Sequence, residues 1–321
     1  MRFGSRLLVA LAAGAILSPG NAVAAADCRL RLLTSLDMSF DGGGRPLVPV
    51  TIEGQDVRLL VDTGGLFGAL SWQAVDQLKL RRNLIPGDLQ IFTMNGERAK
   101  YRVHAHDLRI GKLVSKDYPF MVLPPDASGR DFVGALAPDI LSTYDLEFDF
   151  GAKKLNIISP EHCKGQVVYW TQQAYVALPL RVDRDHQVSV EATLDGQTMQ
   201  ALIDTGASSS VLRLDEADAV LGRPVRSSEL VRTGTGTSNG LDFYKYPFKA
   251  LTIGGIAVQN PDLIIATDKL GNLRQPEEID RNGDNGLRSP PMILGMNVLR
   301  KLHLYIAYKE EMLYATGADA H

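Results

Sequence analysis

The sequence predicts an all-β fold in which two matching lobes are joined in one chain and related by a pseudo-twofold axis. The first observation is a tripeptide, Asp-Thr-Gly, which occurs at residues 62–64 and again at 204–206 and follows an apolar segment each time. The second is that the residues around the two copies match in the same order. The third is that short β-branched runs alternate with turn residues along both halves, whereas helical periodicity is rare.

The repeat extends well beyond the tripeptide. Residues 51–64 align with residues 193–206 without a gap at an offset of 142, and seven of the fourteen positions are identical. Further on, residues 108–111 align with 251–254, and residues 136–141 align with 294–299 at an offset of 158. The larger offset predicts an insertion in the second copy, in the polar run rich in Gly and Pro between residues 268 and 291.

Most of the predicted elements are strands. Runs of β-branched and aromatic residues predict strands at 47–52, 57–61, 89–93, 120–123, 146–150 and 155–158, and then at 188–194, 199–203, 230–233, 263–266, 302–307 and 312–314. Helical patterns are confined to 72–80, 137–143, 215–221 and 296–302. The dipeptides Glu53-Gly54 and Asp195-Gly196 predict two-residue hairpin turns, because such turns need residues that accept a positive φ.

Residues 1–24 have the pattern of a cleaved secretory signal. Arg2 and Arg6 precede an apolar run at 7–17, and the small residues at 22–24 provide a cleavage site. An apolar run of this length is too short to cross a bilayer, which needs about 20 residues, so we expect no stable membrane insertion after cleavage. A lipid anchor on Cys28 is disfavoured by the preceding Asp27. The predicted organisation is an N-terminal lobe at 27–158, a connector at 159–172 and a C-terminal lobe at 173–318, in a periplasmic or secreted protein.

Charge and cysteine content narrow the function further. The formal net charge is −3 and no basic patch is present, so nucleic acid is not an expected partner. Cys28 and Cys163 are the only cysteines, and in an exported protein such a pair usually forms a disulfide, with two unrelated thiols as the alternative. Neither a metal nor a cofactor is expected, because two cysteines and six scattered histidines lack ligand spacing.

Other polar side chains are expected to be solvated. His104 and His106 alternate on a predicted strand and should face solvent, and the acidic run at 277–284 lacks the spacing of a calcium loop. Asp145, Glu147 and Asp149 also alternate, which predicts that they lie on the solvent face of their strand.

The duplicated tripeptide points to a pair of carboxylic acids. Asp62 and Asp204 each end a strand that the hydrophobic pattern marks as buried, where an unused carboxylate is costly. If the pseudo-twofold axis brings the two loops together, the two carboxyl groups share one proton, since neighbouring like charges cannot both ionise. One group then acts as a base on a water molecule and the other donates a proton to a substrate carbonyl oxygen.

From about residue 35 to 317 the chain resembles a retropepsin-like aspartic protease of the bacterial exported kind, in the pepsin and retropepsin superfamily, with both lobes in one polypeptide. The family places a segment of two hydrophobic residues and a glycine beneath each active loop. Residues 293–295 match it, whereas in the first lobe either Leu136-Ala137 or the segment at 132–134 could occupy that place.

The resemblance implies closed, barrel-like acid-protease lobes, few short helices and a single-chain pseudo-dimer that needs no partner subunit. It also implies roles for the repeated residues: Asp62 and Asp204 as the catalytic dyad, Thr63 and Thr205 as side chains that interlock the loops, and Gly64 and Gly206 as turn positions.

The sequence departs from the family pattern after each tripeptide. Pepsins place a hydroxyl residue directly after the glycine, whereas this chain has Gly65 and Ala207. A hydroxyl there would favour the ionised carboxylate and lower its pKa. We therefore expect the dyad to titrate higher than that of pepsin, with activity at mildly acidic to near-neutral pH.

Two hairpins are candidates for flaps that cover the substrate. Both tips contain glycine, neither contains the flap tyrosine of pepsins, and ordinary hairpin turns are the alternative. The candidate flap residues are Met94, Asn95 and Gly96 in the first lobe, and Gly234, Thr235 and Gly236 in the second. Leu66, Phe67 and Met94 are candidates either for apolar subsites or for the core.

The predicted function is an exported aspartic endopeptidase acting on peptides or proteins. The alternative is a catalytically silent two-lobed module that binds extended peptides or a partner protein, which Gly65, Leu66 and Ala137 favour. A glycosidase is a third hypothesis, but it needs carboxylates about 5 Å or more apart, whereas the repeat predicts about 3 Å.

Overall fold

The computed structural model describes residues 28–86, 91, 97–125, 132–235, 242–266 and 290–318. The predicted signal peptide, the first-lobe tip with Met94, Asn95 and Gly96, and residue Gly236 lie outside the described residues, as do all but one residue of the strand predicted at 89–93 and most of the predicted insertion.

The first half contains thirteen described strands and two short helices. The strands are β1 Leu32–Asp37, β2 Ser39–Phe40, β3 Pro46–Ile52, β4 Gln55–Val61, β5 Ala69–Leu70, β6 Asn83–Leu84, β7 Tyr101–Ala105, β8 Leu108–Ile110, β9 Leu113–Ser115, β10 Tyr118–Val122, β11 Gly134–Leu136, β12 Asp145–Asp149 and β13 Lys154–Ile158. The helices are α1 Trp72–Gln77 and α2 Pro138–Leu141.

The described part of the second half follows the same plan. Its strands are β14 Val176–Pro179, β15 Arg181–Val182, β16 Val188–Leu194, β17 Gln197–Ile203, β18 Ser210–Arg213, β19 Val231–Thr235, β20 Asp242–Lys245, β21 Ala250–Ile253, β22 Ile256–Gln259, β23 Leu263–Ala266, β24 Met292–Leu294, β25 Leu302–Ala307 and β26 Met312–Gly317. The helices are α3 Leu214–Leu221 and α4 Met296–Leu299, with a 3-10 turn at Ser227–Glu229.

Each lobe is built on one ten-stranded sheet, and the two sheets correspond strand by strand. The first has the order β6-β7-β10-β5-β11-β4-β3-β8-β9, with β2 on β3, and the second has the order β19-β20-β23-β18-β24-β17-β16-β21-β22, with β15 on β16. In both, the strand before Asp-Thr-Gly pairs in parallel with a strand from much later in the lobe, β4 with β11 and β17 with β24. The predicted two-lobed, mainly β fold is therefore confirmed.

The predicted hairpin turns are also present. Glu53 and Gly54 have φ values of 49° and 74°, and Asp195 and Gly196 have values of 47° and 94°. Two successive positive φ angles are typical of the tight turn that matches the twist of two antiparallel strands.

A third sheet joins the lobes, which the sequence did not predict. Its order is β1-β13-β12-β25-β26-β14, with three strands from each half. The junction is the antiparallel pair β12 and β25, where Leu146 lies opposite Ile306 and Phe148 opposite Leu304. The disulfide predicted between Cys28 and Cys163 is present, with a Cα to Cα distance of 4.7 Å, and it ties the connector to the chain just before β1.

The prediction that Asp145 and Glu147 face solvent is wrong. Asp145 is 0% exposed and Glu147 is 1% exposed. Both are buried because the connector covers this face of the joining sheet. His162 of the connector approaches Asp145, with 2.5 Å between Nε2 and Oδ2, and His303 of β25 approaches Glu147, with 2.8 Å between Nε2 and Oε1. Local alternation could not show that a distant segment supplies these partners.

Aromatic side chains complete this buried polar cluster. Tyr169 donates a hydrogen bond to Glu147, and Tyr305 donates one to Asp145 across 3.1 Å. The Trp170 ring stacks on His303 with 4.4 Å between ring centres. The cluster therefore links the connector to the joining sheet through hydrogen bonds and ring contacts.

The remaining polar predictions have mixed outcomes. His106 is exposed, whereas His104 is half-buried and lies 2.7 Å from an Asp117 carboxylate oxygen. Among the described residues, no group of three or more His, Cys, Asp or Glu side chains is arranged to hold a metal ion. In the part of the chain that the structure covers, no helix has the length and apolar character needed to cross a membrane.

Candidate active site

The two aspartates are positioned by the same backbone contacts. Asp62 follows β4, and its N–H donates to the Leu136 carbonyl across 2.9 Å. Asp204 follows β17, and its N–H donates to the Leu294 carbonyl across 3.0 Å. In each lobe the parallel strand β11 or β24 therefore holds the loop as it leaves the sheet.

The strand register settles which first-lobe segment lies beneath the active loop. Leu136 pairs with Val61, and Leu294 pairs with Ile203, which is the equivalent of Val61 in the repeat. Leu136-Ala137 therefore corresponds to Leu294-Gly295. The alternative segment at 132–134 ends at Gly134, which pairs with Leu59 and so lies too early in the strand to reach the loop.

Gly295 and Ala137 are equivalent positions with different space around them. A Cβ added at Gly295 would lie 2.5 Å from the backbone oxygen of Ser209, which no real side chain tolerates. The Ala137 methyl is accommodated beside Gly65, where a Cβ would lie 3.2 Å from the Ala137 Cβ. The two first-lobe departures from the family pattern are thus packed against one another.

The threonines interlock the two loops across the pseudo-twofold axis. The Thr63 N–H donates to Thr205 Oγ1 across 3.2 Å, and the Thr205 N–H donates to Thr63 Oγ1 across 3.1 Å. The hydroxyl groups donate in turn to the opposite strands, to the Ile203 carbonyl at 2.7 Å and to the Val61 carbonyl at 2.6 Å. Both side chains are fully buried, so these bonds are shielded from water.

The carboxyl groups of Asp62 and Asp204 meet at this crossing, each against the active-loop glycine of the other lobe. The Gly64 N–H donates to Asp62 Oδ1 across 3.1 Å. The Gly206 and Ala207 N–H groups donate to Asp204 Oδ1 across 2.8 Å and 3.0 Å. Each loop therefore holds its own carboxylate with backbone donors and presents it to the other lobe.

The glycines are needed for close approach rather than for an unusual backbone angle. Gly64 and Gly206 lie in turns, but neither has a positive φ, so the backbone conformation of the turn is not what requires glycine. A Cβ at Gly64 would lie 2.2 Å from Asp204 Cγ, and a Cβ at Gly206 would lie 2.4 Å from Asp62 Cγ. Each glycine thus makes room for the carboxyl group of the opposite lobe.

Burial raises the pKa of both aspartates above the ordinary value. For Asp204 the nearby Asp62 carboxylate raises the pKa further, whereas Asp62 accepts a hydrogen bond from Asp204, which opposes the effect of burial. Because two neighbouring carboxylates cannot easily both ionise, this arrangement favours a state in which the two groups share one proton. Such a pair can take up a proton at one carboxyl and release one from the other.

A second pair of supporting contacts was missed by the sequence analysis. The Gly68 N–H donates to both Asp139 carboxylate oxygens at 3.1 Å, and the Ser210 N–H donates to Asn297 Oδ1 at 2.8 Å. Gly68 and Ser210 are 142 apart, and Asp139 and Asn297 are 158 apart, which are the offsets of the repeat. The repeat register was thus the signal that could have found them.

Arg45 and Gln187 were also missed. Arg45 Nη1 donates to the Gly206 carbonyl across 3.4 Å, and Gln187 Nε2 donates to the Gly64 carbonyl. These side chains stand at equivalent places in the repeat, and each reaches the active loop of the other lobe.

The candidate flap and subsite residues are only partly described. Gly234 and Thr235 belong to β19 and pair with Phe243 and Asp242, so they lie in a strand of the hairpin and not at its tip. Leu66 is partly exposed and Phe67 is 37% exposed, which removes Phe67 from the core.

Two family models match the chain. The family of gag-polyprotein aspartyl proteases matches residues 48–134, and an aspartyl protease family matches residues 190–298. Each matched segment contains one Asp-Thr-Gly loop. No curated protein sequence matches the chain at a significant level.

Similar solved structures share the fold over nearly the whole chain. The aspartic proteinase from Irpex lacteus has a TM-score of 0.53 and 12% identity, covering 89% of this chain and 98% of that one. Basic 7S globulin from soybean has a TM-score of 0.51 and 11% identity, covering 91% and 100%. Conglutin gamma from lupine seeds has a TM-score of 0.51 and 11% identity, covering 90% and 95%. At these identities the likeness concerns the fold alone.

Proposed function

The chain belongs to the pepsin- and retropepsin-like aspartic proteases, and we propose that it is an exported endopeptidase that hydrolyses peptide bonds with Asp62 and Asp204. The observation that carries the proposal is that these two carboxyl groups, one from each lobe, meet at the crossing of the interlocked loops, each against the active-loop glycine of the other lobe. A carboxylate with a purely structural role would not need a second buried carboxyl group beside it, because the two like charges repel.

In the first step, the ionised carboxylate takes a proton from a water molecule as the water oxygen attacks the peptide carbonyl carbon. The protonated carboxyl donates its proton to the carbonyl oxygen, so the C=O π bond breaks and a neutral gem-diol forms. The two carboxyl groups have then exchanged their protonation states.

In the second step, the newly protonated carboxyl donates its proton to the leaving nitrogen. A gem-diol hydroxyl returns a proton to the other carboxylate, the C–N bond breaks, and an amine and a carboxylic acid leave. The dyad regains its initial state with one proton, so the cycle needs neither a metal nor an organic cofactor.

The substrate is proposed to be an extended peptide or protein segment. The hairpin of β19 and β20 ends the second-lobe sheet, and a strand at a sheet edge can pair with added backbone. Because both half-sites are in one chain, a monomer is sufficient. Export to the periplasm or the medium is supported by the disulfide between Cys28 and Cys163, since such bonds persist in oxidising compartments.

The test is cleavage of a peptide library by the protein purified after export, with and without a statine-type inhibitor. Asp62→Asn and Asp204→Asn should each abolish cleavage, and Asp215→Asn, at an exposed carboxylate paired with Arg213, should leave it unchanged. Cleavage that survives either dyad substitution would overturn the assignment. A folded protein that cleaves nothing at acidic or neutral pH would instead favour the peptide-binding module.

A further inference from the structure

Two short loops, at residues 41–45 and 183–187, precede the long strand β3 or β16 of each lobe and are built alike. In the first, Asp41 Oδ1 accepts hydrogen bonds from the N–H groups of Gly43 at 2.9 Å and Arg45 at 2.8 Å. In the second, Asp183 Oδ1 accepts hydrogen bonds from the Asp185 and Gln187 N–H groups, both at 2.9 Å. In each loop the carboxylate therefore fixes the backbone of the last residue, which is Arg45 in the first loop and Gln187 in the second.

That last side chain crosses to the other lobe in both cases. Arg45 donates to the carbonyl of Gly206, and Gln187 donates to the carbonyl of Gly64. The acceptors belong to the two glycines whose α-carbons face the opposite carboxyl groups. A shift of either carbonyl would move the backbone that holds the dyad.

The two contacts differ in charge. Arg45 is a cation, its side chain is 27% exposed, and it forms an ion pair with Asp41 at 2.6 Å. Gln187 is neutral. The backbone hydrogen bonds do not favour ionisation of Asp62 over that of Asp204, because Gly64 donates to Asp62 Oδ1 at 3.1 Å, whereas Gly206 and Ala207 donate to Asp204 Oδ1 at 2.8 Å and 3.0 Å. The difference in charge between Arg45 and Gln187 acts in the opposite direction.

We propose that Arg45 and Gln187 are a matched pair of positioning residues that hold the active loops across the lobe boundary, and that the single charge of Arg45 makes Asp62 the ionised base and Asp204 the carrier of the shared proton. This inference rests on the proposed function for its catalytic meaning, although the proton preference exists in the folded protein without substrate.

The charged groups that face this region are consistent with the assignment. Burial raises the pKa of Asp62, the backbone N–H groups of Gly65 and Gly64 and the Asp204 carboxyl oppose this effect, and the charge of Arg45 opposes it further. Asp62 acts on Asp204 and raises the pKa of Asp204. Asp41 pairs with Nε and Nη2 of Arg45, whereas Nη1 reaches the Gly206 carbonyl, so Asp41 moderates the charge of Arg45. Although burial opposes ionisation, Arg45 holds the pKa of Asp41 below its ordinary value.

The experiment follows the two carboxyl carbons by ¹³C NMR during a pH titration. Arg45→Gln, which copies the residue of the second lobe, should raise the pH at which Asp62 ionises by about 0.5 unit or more. Asp41→Asn keeps the Oδ1 acceptor of the loop but removes the counter-charge, so it should shift the same titration to lower pH. Arg223→Gln, at an exposed ion pair with Glu229, is the matched control and should shift neither carboxyl.

The exchange variant tests the role of position. In Arg45→Gln with Gln187→Arg, the charge moves to the other lobe, and Asp204 should become the first of the pair to ionise. Titrations of Asp62 and Asp204 that are the same in wild type, Arg45→Gln and Asp41→Asn would overturn the proposal.

Cleavage rates separate this inference from the proposed function. If the protein is a peptidase, the acidic limb of its kcat/KM profile should move with the NMR titration in each variant. If the wild type cleaves nothing but the titrations shift as expected, the proposed function fails and the effect of Arg45 on the proton stands.

Discussion

Ala137 lies against Gly65 beneath the first active loop, and a Cβ on Gly65 would lie 3.2 Å from the Ala137 methyl carbon and 3.1 Å from Asp62 Oδ2. In the second lobe the residues are reversed in size, with Ala207 in the loop and Gly295 beneath it. The larger residue of the pair is therefore beneath the loop in the first lobe and in the loop in the second, and the Gly64 N–H still donates to Asp62 Oδ1.

The variant Gly65→Ser should lower the pH optimum of cleavage. Its hydroxyl would stand within reach of the Asp62 carboxylate and favour the ionised form, which lowers the pKa. The crowding against Ala137 should cost about 1 kcal/mol of unfolding free energy. The measurements are the pH dependence of kcat/KM and urea denaturation.

The double variant Gly65→Ser with Ala137→Gly is the matched control for crowding. It should recover most of the lost stability and keep the lower pH optimum. A pH profile equal to that of wild type in both variants would show that a hydroxyl at this position does not act on the dyad.

Asp204→Asn should abolish cleavage and yet stabilise the fold at neutral pH. The pKa of Asp204 is raised in the folded state, so ionisation opposes folding and stability is lost as pH rises from the ordinary value of 3.8 through the folded value. Each pKa unit by which the folded value exceeds the ordinary value lowers the free energy of unfolding at high pH by about 1.4 kcal/mol. The asparagine keeps the Oδ1 acceptor for Gly206 and Ala207.

Thermal unfolding across pH tests this expectation. The melting temperature of Asp204→Asn should exceed that of wild type at pH values near 7, and the difference should vanish once the pH falls below the ordinary value for aspartate. A variant that is less stable than wild type at neutral pH would contradict the raised pKa.

Thr205→Val should destabilise the protein by about 2 to 4 kcal/mol. The substitution removes the acceptor for the Thr63 N–H and the donor to the Val61 carbonyl, and both partners are left buried without that hydrogen bond. Thr205→Ser keeps the hydroxyl and should cost less than half as much. Denaturation midpoints of the two variants give the comparison, and equal losses would mean that the threonine acts through packing.

Glu147→Gln should lower the free energy of unfolding at neutral pH, and this loss should be smaller in acid. Burial alone would raise the pKa of Glu147, but hydrogen bonds from His303, Tyr169 and Asn156 hold it below the ordinary value of 4.5. A depressed pKa stabilises the fold above the ordinary value, and this contribution is lost as pH falls through the folded value.

The difference in stability between wild type and Glu147→Gln should therefore shrink steadily as the pH falls below 4.5. Trp170, which stacks on His303, provides a fluorescence signal at the cluster itself. A difference that stays constant with pH would mean that the charge of Glu147 contributes nothing to folding.

Much of the molecule follows from the sequence pattern. Strands β16, β23 and β25 begin and end where the residue pattern predicts. Helix α1 is shorter than predicted, because the chain leaves the helix at Leu78 and Lys79 takes a φ of 55°. Alternation and turn residues are local properties, so they predict individual strands well and helix ends less well.

The repeat carries information over a longer range. It placed the two Asp-Thr-Gly loops in one site, because a duplicated lobe folds twice in the same way and the axis between the copies brings equivalent loops together. The same register contained Asp139 with Asn297 and Arg45 with Gln187, although their contacts became visible only in the folded chain.

Contacts between the halves depended on tertiary structure. The pairing of β12 with β25 creates the joining sheet, and the connector then buries Asp145 and Glu147, whose spacing alone indicated solvent. Alternation says which residues share a face of a strand, but it does not say what covers that face. The covering segment lies outside the strand, so only the folded chain reveals that these carboxylates are buried and paired.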